Sequence, residues 1–432
     1  MSTDTNDAST AGIADEFGGG GGYGSAPVVG HGPVTDWATD FDHADPAYNR
    51  NAHEIWADLR GRCPVAHTER YNGTWLPVTH EDVSNIAHDT ENYTSRAVVV
   101  SNAEEFAPAP IGGAPPITSD PPFHHEARRL LLPPFAPKKI EPWEPDVRAL
   151  CGELLDVMAA HLMDGAGVVD AAVEYAQNIP VNVIARMLGF PLEDAELFRG
   201  FVHDTLEGIA DSPQERGAAF GRLDAYIDTQ VADHLATPRD DLTTYLIDST
   251  IFGQPLSAEH VRGSILLLLL AGIDTTWSAI GSSIWHLASH PDDLARLGTD
   301  PSLWPTAIEE LLRVYAPVTM ARLVAKDHEL HGCALKENDW VLLPFPAANL
   351  DPAAFERADE VLIDREENRH AAFGLGIHRC LGSNLARLEV RVAVEEFVKR
   401  FPRFELADPD AVRWSVGQIR GPRELPVRIL PD

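Results

Sequence analysis

The residue with the most chemistry to offer is Cys380, set in the stretch Phe373-Gly374-Leu375-Gly376-Ile377-His378-Arg379-Cys380-Leu381-Gly382 and followed by the helical run Ser383 to Glu389. A glycine-bearing loop that delivers one sulfur to the first turn of a helix can hold it as a thiolate, because unpaired N–H groups and the positive dipole end face it there. Such a thiolate can bind iron. Gly376 and Gly382 would let the backbone pass close to a flat, bulky partner where a Cβ would collide. Taken alone, a cysteine among glycines more often fits a small buried hydrophobe.

Three further clusters carry unusual residue types. Ala271-Gly272-Ile273-Asp274-Thr275-Thr276 interrupts the apolar run Ile265 to Ile273, inside a helical pattern that Ser257 caps and Pro291 stops. An acid and two hydroxyls beside the weak helix former Gly272 are costly in a core and ask for a function. The plainer reading has Thr275 bonded back to its own helix and Asp274 on a wet face. Asp120-Pro121-Pro122 reads as a helix start, with Asp120 as N-cap and proline in the first turn. That start puts His124 and Arg128 on one face, which by itself is only a basic surface. Glu310-Leu311-Leu312-Arg313 is an i, i+3 ion pair, expected on a helix surface and of small worth there.

Together these segments resemble the motifs of the cytochrome P450 family: Phe-x-x-Gly-x-His-x-Cys-x-Gly, Ala-Gly-x-Asp-Thr-Thr, Asp-Pro-Pro-x-His-x-x-x-Arg-Arg, and a Glu-x-x-Arg upstream of the cysteine. The resemblance runs from about residue 50 to the end. It implies a mainly α fold with small β-sheets, a single triangular prism of helices around haem b with one long central helix. It makes Cys380 the axial thiolate ligand of the iron, with Phe373, Gly374 and Gly382 in the loop around it. His124, Arg128, Arg322 and His378 would meet the haem propionates; an arginine suits that task because its fork pairs two carboxylate oxygens. Ala271 and Gly272 would border a distorted turn with room for dioxygen. Asp274 and Thr275 would be the acid–alcohol pair that delivers protons. Glu310 and Arg313, with Arg365 as third member, would form a structural triad holding the haem-side core.

The implied activity is that of a monooxygenase, which inserts one oxygen atom of O2 into a small or medium hydrophobic compound. Two other readings use the same features: a peroxide-driven haem-thiolate hydroxylase and a non-catalytic haem- or ligand-binding module. The intact Asp274-Thr275 pair argues against both.

The elements that must position these residues follow from pattern. Ser257 to Ser289 makes a rod of roughly 50 Å, long enough to cross the molecule. A membrane span is excluded there because Asp274 breaks the apolar run after about half the needed length. His53 to Arg62 and Glu81 to His88 read as helices, Thr74 to Val78 as part of a small hairpin. Val98 to Ser119 is a long irregular loop with apolar side chains, suited to covering a ligand pocket. Residues 141 to 164 and 171 to 189 are packing helices. Leu192 to Gly208 and Ala218 to Leu235, flanking Asp211-Ser212-Pro213, resemble the family's mobile lid. In Val318-Thr319-Met320-Ala321-Arg322, strand alternation turns Val318 and Met320 together into a pocket. Residues 1 to 45, with the glycine run Gly18 to Gly22, read as a disordered acidic tail, leaving 46 to 432 as the haem domain.

The chain has 432 residues, 34 basic and 66 acidic, a net charge of −32 that argues against nucleic acid or an anionic membrane as partner. The lysines are only Lys138, Lys139, Lys326, Lys336 and Lys399. Adaptation to high salt and an arginine-favouring genome both account for that bias. Cys63, Cys151, Cys333 and Cys380 lie far apart and form no zinc or disulfide signature. With no signal peptide, the expected location is the cytoplasm. No flavin or iron–sulfur module is legible, so electrons must come from separate proteins, a ferredoxin with its reductase or a flavodoxin. Arg128, Arg129, Arg379, Arg387 and Arg391 are the expected basic docking patch behind Cys380.

Overall fold

The computed structural model describes residues 32–63, 65–100, 113–162, 167–207, 213–415 and 417–431. Its axis is the helix Ala258–Ser289, 32 residues long, capped by the Ser257 side chain, which accepts from His260 N at 3.2 Å. Most of this helix is buried, and among the described residues it is the one helix long and apolar enough to cross a membrane. Here its apolar surface meets protein. Helices Asn178–Leu188, Pro213–Ala236 and Ser383–Arg400 pack around it. Full burial of a Leu or Ile side chain contributes about 1.5–3 kcal/mol, so Ile265, Leu269, Ile273, Ile280 and Ile284 anchor the rod strongly.

A five-stranded sheet forms a second body of structure. Its order is Val65–Thr68, Thr74–Pro77, Trp340–Pro344, Thr319–Val324, Tyr93–Thr94, antiparallel throughout except where Trp340–Pro344 runs parallel to Thr74–Pro77. A three-stranded sheet joins Phe404–Leu406, Pro426–Ile429 and Val168–Asp170. The fold is mainly α with small sheets, as the resemblance implied.

Several expectations change. The tail was expected to reach residue 45, but Phe41 is 1% exposed and Asp42 is fully buried. Arg70 ties that segment down, bonding Asp40 and Asp42 at 2.6 Å each and the Gly32 carbonyl at 2.9 Å. A buried arginine meeting two carboxylates and an aromatic cluster of Trp37, Phe41, Tyr48 and Trp56 gives residues 32–45 enough contact to fold. Residues 1–31 lie outside the described residues, as do 101–112 of the covering loop and Asp211-Ser212 of the lid break.

Asp120 is not a cap. The helix is Phe123–Leu131 with Pro122 before it, and the Asp120 carboxylate accepts instead from Thr94 Oγ1 and from Ser95 N at 2.9 Å. The two helices expected as a lid are Ala195–Val202, continued by a π-helical turn His203–Glu207, and Pro213–Ala236.

Candidate active site

The cysteine loop is built by two left-handed glycines. Gly374 has φ +69 and Gly376 φ +67, and a Cβ on Gly376 would stand 2.1 Å from the Ala87 carbonyl oxygen. Gly376 is therefore demanded by the turn and by the neighbouring helix His80–His88, not by a flat partner as its sequence suggested. At Gly382 the direction of a Cβ is open. Cys380 N donates to Phe373 O at 2.6 Å and closes the loop. Cys380 precedes the helix Ser383–Arg400, whose N-cap is Gly382, so it stands outside the first turn in which sequence had placed it.

Its side chain is exposed to open space yet surrounded by protein mass. Desolvation raises the thiol above its ordinary range; the Gly382 N–H and the Arg128, Arg379 and Arg387 guanidiniums pull the other way without prevailing. The helix end alone thus does not make a thiolate. A metal that displaces the proton would.

Around this loop stand four buried or half-buried bases. His124, 1% exposed, meets the His378 ring at 4.4 Å between centroids. Neither ring nitrogen of His124 nor Nε2 of His378 makes a hydrogen bond of normal geometry among the described residues, although the Ile377 carbonyl favours a proton on His124. Burial lowers His124 to about 4 and His378 to about 2, with the charges of Arg128 and Arg322 adding to both. Arg128 donates to the Arg379 carbonyl at 2.6 Å, and buried Arg322 donates to the Ala321 carbonyl at 2.8 Å. Desolvation lowers Arg322 to about 10, with Asp120 acting against that fall. Two guanidiniums, with two neutral imidazoles carrying unbonded ring nitrogens, have the donors to receive a dicarboxylate. The residues fit haem propionates.

On the central helix, Ala271 is exposed where most of the helix is buried, and Leu267 and Thr275, one turn to each side, are half-exposed. The i, i+4, i+8 spacing puts the three on one face of that helix. Val318 and Met320 are half-buried and alternate with buried Thr319, so they turn the same way. A Cβ built on Gly272 would meet Ile184 Cγ1 at 3.4 Å, so this glycine lies against a neighbouring helix. The distorted turn implied at 271–276 is not present: the helix is continuous, and Thr275 Oγ1 donates to the Ala271 carbonyl at 2.8 Å.

Asp274 has no wet face. It is fully buried and accepts from Arg423 at 2.5 Å and from Ser278 Oγ at 3.3 Å, while Arg423 also donates to Ser278 Oγ at 2.9 Å. The Arg423 guanidinium lies over the Trp277 ring at 5.0 Å. Neither Arg423 nor Ser278 was found from sequence. The one available signal was the cost of a core carboxylate, which requires a cation without saying which.

Glu310 and Arg313 are both fully buried, not on a surface, and their contact is bidentate at 2.8 Å. Arg365 Nε reaches Glu310 at 2.9 Å, and Asn368 and Leu362 N fill the remaining acceptor sites. Arg313 also donates to the carbonyls of Asn349, Ala358 and Glu360. The Asn349 side chain in turn accepts from Ala371 N at 2.6 Å, which links the triad to the cysteine loop. Phe373 lies under the Arg387 guanidinium at 4.3 Å, and Glu309 holds that guanidinium at 2.6 and 2.8 Å.

The cytochrome P450 family model matches residues 302–415, a stretch that takes in the triad and the cysteine loop. Cytochrome P450 107B1 of Saccharopolyspora erythraea is 32% identical over 398 residues, covering 89% of this chain and 96% of that protein. The chain belongs to the cytochrome P450 family. Mycinamicin IV hydroxylase/epoxidase of Micromonospora griseorubida is 32% identical across 86% of this P450 and 94% of the relative. The solved structure of the Bacillus subtilis P450 PksS superposes with a TM-score of 0.81 at 29% identity, covering 90% of this chain and 100% of that one. The protein is a P450 monooxygenase, and its family uses haem iron with a cysteine thiolate ligand.

Proposed function

We propose that this P450 hydroxylates a small or medium hydrophobic compound at a haem held by Cys380, with electrons delivered by a ferredoxin and its reductase or by a flavodoxin. The observation that carries the reading is the gathering of His124, Arg128, Arg322 and His378 beside the cysteine loop, a buried to half-buried basic set that forms no ion pair with a carboxylate among the described residues. When bound, haem supplies dioxygen activation, which thiolate donation favours.

The chain's own residues do the rest. Cys380 supplies the sulfur. The four bases would hold the propionates. Leu267, Ala271, Val318 and Met320 offer an apolar wall that excludes water and suits a hydrophobic substrate. Thr275, half-exposed on the central helix, would hand on protons, and Asp274 beside it in sequence would take them up, held as a carboxylate by Arg423. The haem domain extends N-terminally to take in residues 32–45, and cytoplasmic location suits a P450 whose long apolar helix is its core.

The docking patch narrows. Glu309 neutralises Arg387, and Glu144 with Glu395 neutralises Arg391. Arg379, Lys138 and Lys139 meet no carboxylate among the described residues, and Asn384 Nδ2 bonds the Phe135 carbonyl to keep the lysine turn beside the cysteine-side helix. An acidic electron donor would land there.

The test is the carbon monoxide difference spectrum of reduced protein with and without Cys380→Ser. Wild type shows the thiolate band that defines the family. The serine variant lacks it; a variant spectrum identical to wild type refutes Cys380 as ligand.

A further inference from the structure

The side-chain amide of Gln418 is bonded at both ends, by two chain segments far apart in sequence. Its Oε1 accepts from Val100 N at 2.7 Å; its Nε2 donates to Thr319 O at 2.7 Å and, more weakly, to Val98 O at 3.4 Å. One N–H on one side and two carbonyls on the other leave a single orientation for the amide. Backbone bonds reinforce the junction. Thr319 N donates to Gln418 O at 2.8 Å, Ala321 N to Val98 O at 3.0 Å, and Val318 forms a β-bridge with Ile419. The turn that carries Gln418 is itself tied shut, with Ser415 N on Gly421 O at 2.9 Å and Ser415 Oγ on Ile419 O at 2.6 Å.

We propose that Gln418 is the positioning residue that sets the width of the substrate pocket. It clamps residues 98–100 to the Val318–Met320 wall, so that the two walls move as one body. The inference rests on the reading of those two segments as pocket walls. Val99, 44% exposed between buried Val98 and Val100, is the side chain that this clamp would hold against a substrate. Val100 N–H depends on the clamp: Gln418 Oε1 is the acceptor recorded for it, and a buried donor left unmatched costs far more than the bond gains.

The experiment uses the full-length, haem-loaded protein, with amide hydrogen exchange at residues 98–100 and spectral titration with a phenylimidazole as pocket probe. In wild type the probe slows exchange at 98–100. Gln418→Leu removes all three bonds: Val100 N–H exchanges about tenfold faster and the probe binds about tenfold more weakly, while the carbon monoxide spectrum is unchanged. Gln418→Glu keeps an acceptor and loses the donors. Val100 N–H regains its protection, yet probe binding stays weak, because a carboxylate now faces the Val98 and Thr319 carbonyls. Wild-type protection that survives Gln418→Leu with unaltered probe affinity overturns the proposal alone. A probe that binds wild type without protecting 98–100 overturns the pocket reading and the proposal with it. Where Gln418→Leu does not fold, wild-type probe affinity in Gln418→Glu is the overturning result.

Discussion

Asp274 and Thr275 show how much a single side chain's meaning depends on its partner. Asp274 is ion-paired to Arg423 in a site from which both are nearly closed to solvent. Removing one member of a buried pair strands the other, at a cost of about 3–5 kcal/mol. Arg423→Leu should therefore lower stability by about that amount in chemical denaturation, and adding Asp274→Asn should restore part of it. A strictly additive pair of losses would show that the contact contributes nothing. Glu389 poses the opposite case. It is buried in the core, its Oε2 meets no donor among the described residues, and desolvation raises its carboxyl well above 4.5. Above pH 4.5 the unfolded chain ionises this group while the folded chain keeps its proton, so stability falls as pH rises from there towards the folded-state value. Gln in its place removes that loss: the melting temperature of Glu389→Gln should match wild type near pH 4 and exceed it increasingly towards pH 8. A constant difference across that range would contradict the assignment.

At the scale of elements, the cysteine loop is positioned from behind. Gly376 presses on the Ala87 carbonyl, the triad reaches the loop through Asn349, and Arg387 covers Phe373. Gly376→Ala must abandon φ +67 or push the His80–His88 helix aside, a cost on the order of 1–3 kcal/mol from the backbone alone. Its expected signature is loss of haem retention, read as the ratio of Soret to protein absorbance, with global helicity kept. Retention equal to wild type would show that the loop is not set by that contact. Glu310→Gln leaves Arg313 and Arg365 facing a neutral amide in a dry site and should destabilise by about 3–5 kcal/mol. The sequence displayed the Glu-x-x-Arg but not its burial, because a helix-surface pair and a core pair share one spacing.

The whole molecule is governed by a charge of −32 with only five lysines. Like charges at that density oppose compaction, and salt screens them. Thermal stability should rise between low and molar salt, and a flat melting temperature would remove self-repulsion as a factor. Against that field, the proposed docking patch is Arg379 with Lys138 and Lys139, none of which is ion-paired among the described residues. Arg379→Glu should slow electron delivery and weaken its salt dependence, as measured by stopped-flow reduction, while the Cys380 spectrum stays intact.

The sequence by itself determined what is written in short-range pattern. The span of the central helix, predicted as Ser257 to Ser289 and observed as Ala258–Ser289 behind a Ser257 cap, follows from apolar periodicity and capping. The cysteine loop is legible through its resemblance to a family motif, because its glycines alone fit a small buried hydrophobe equally well. Tertiary structure alone decided which partner each polar residue obtained: Arg423 for Asp274 across 149 positions, Gln418 for Val100 across 318, and a folded place for residues 32–45 through Arg70. The reason is physical. A buried polar group states locally that it needs a partner, but packing brings that partner from any distance along the chain, and no spacing in the sequence records it.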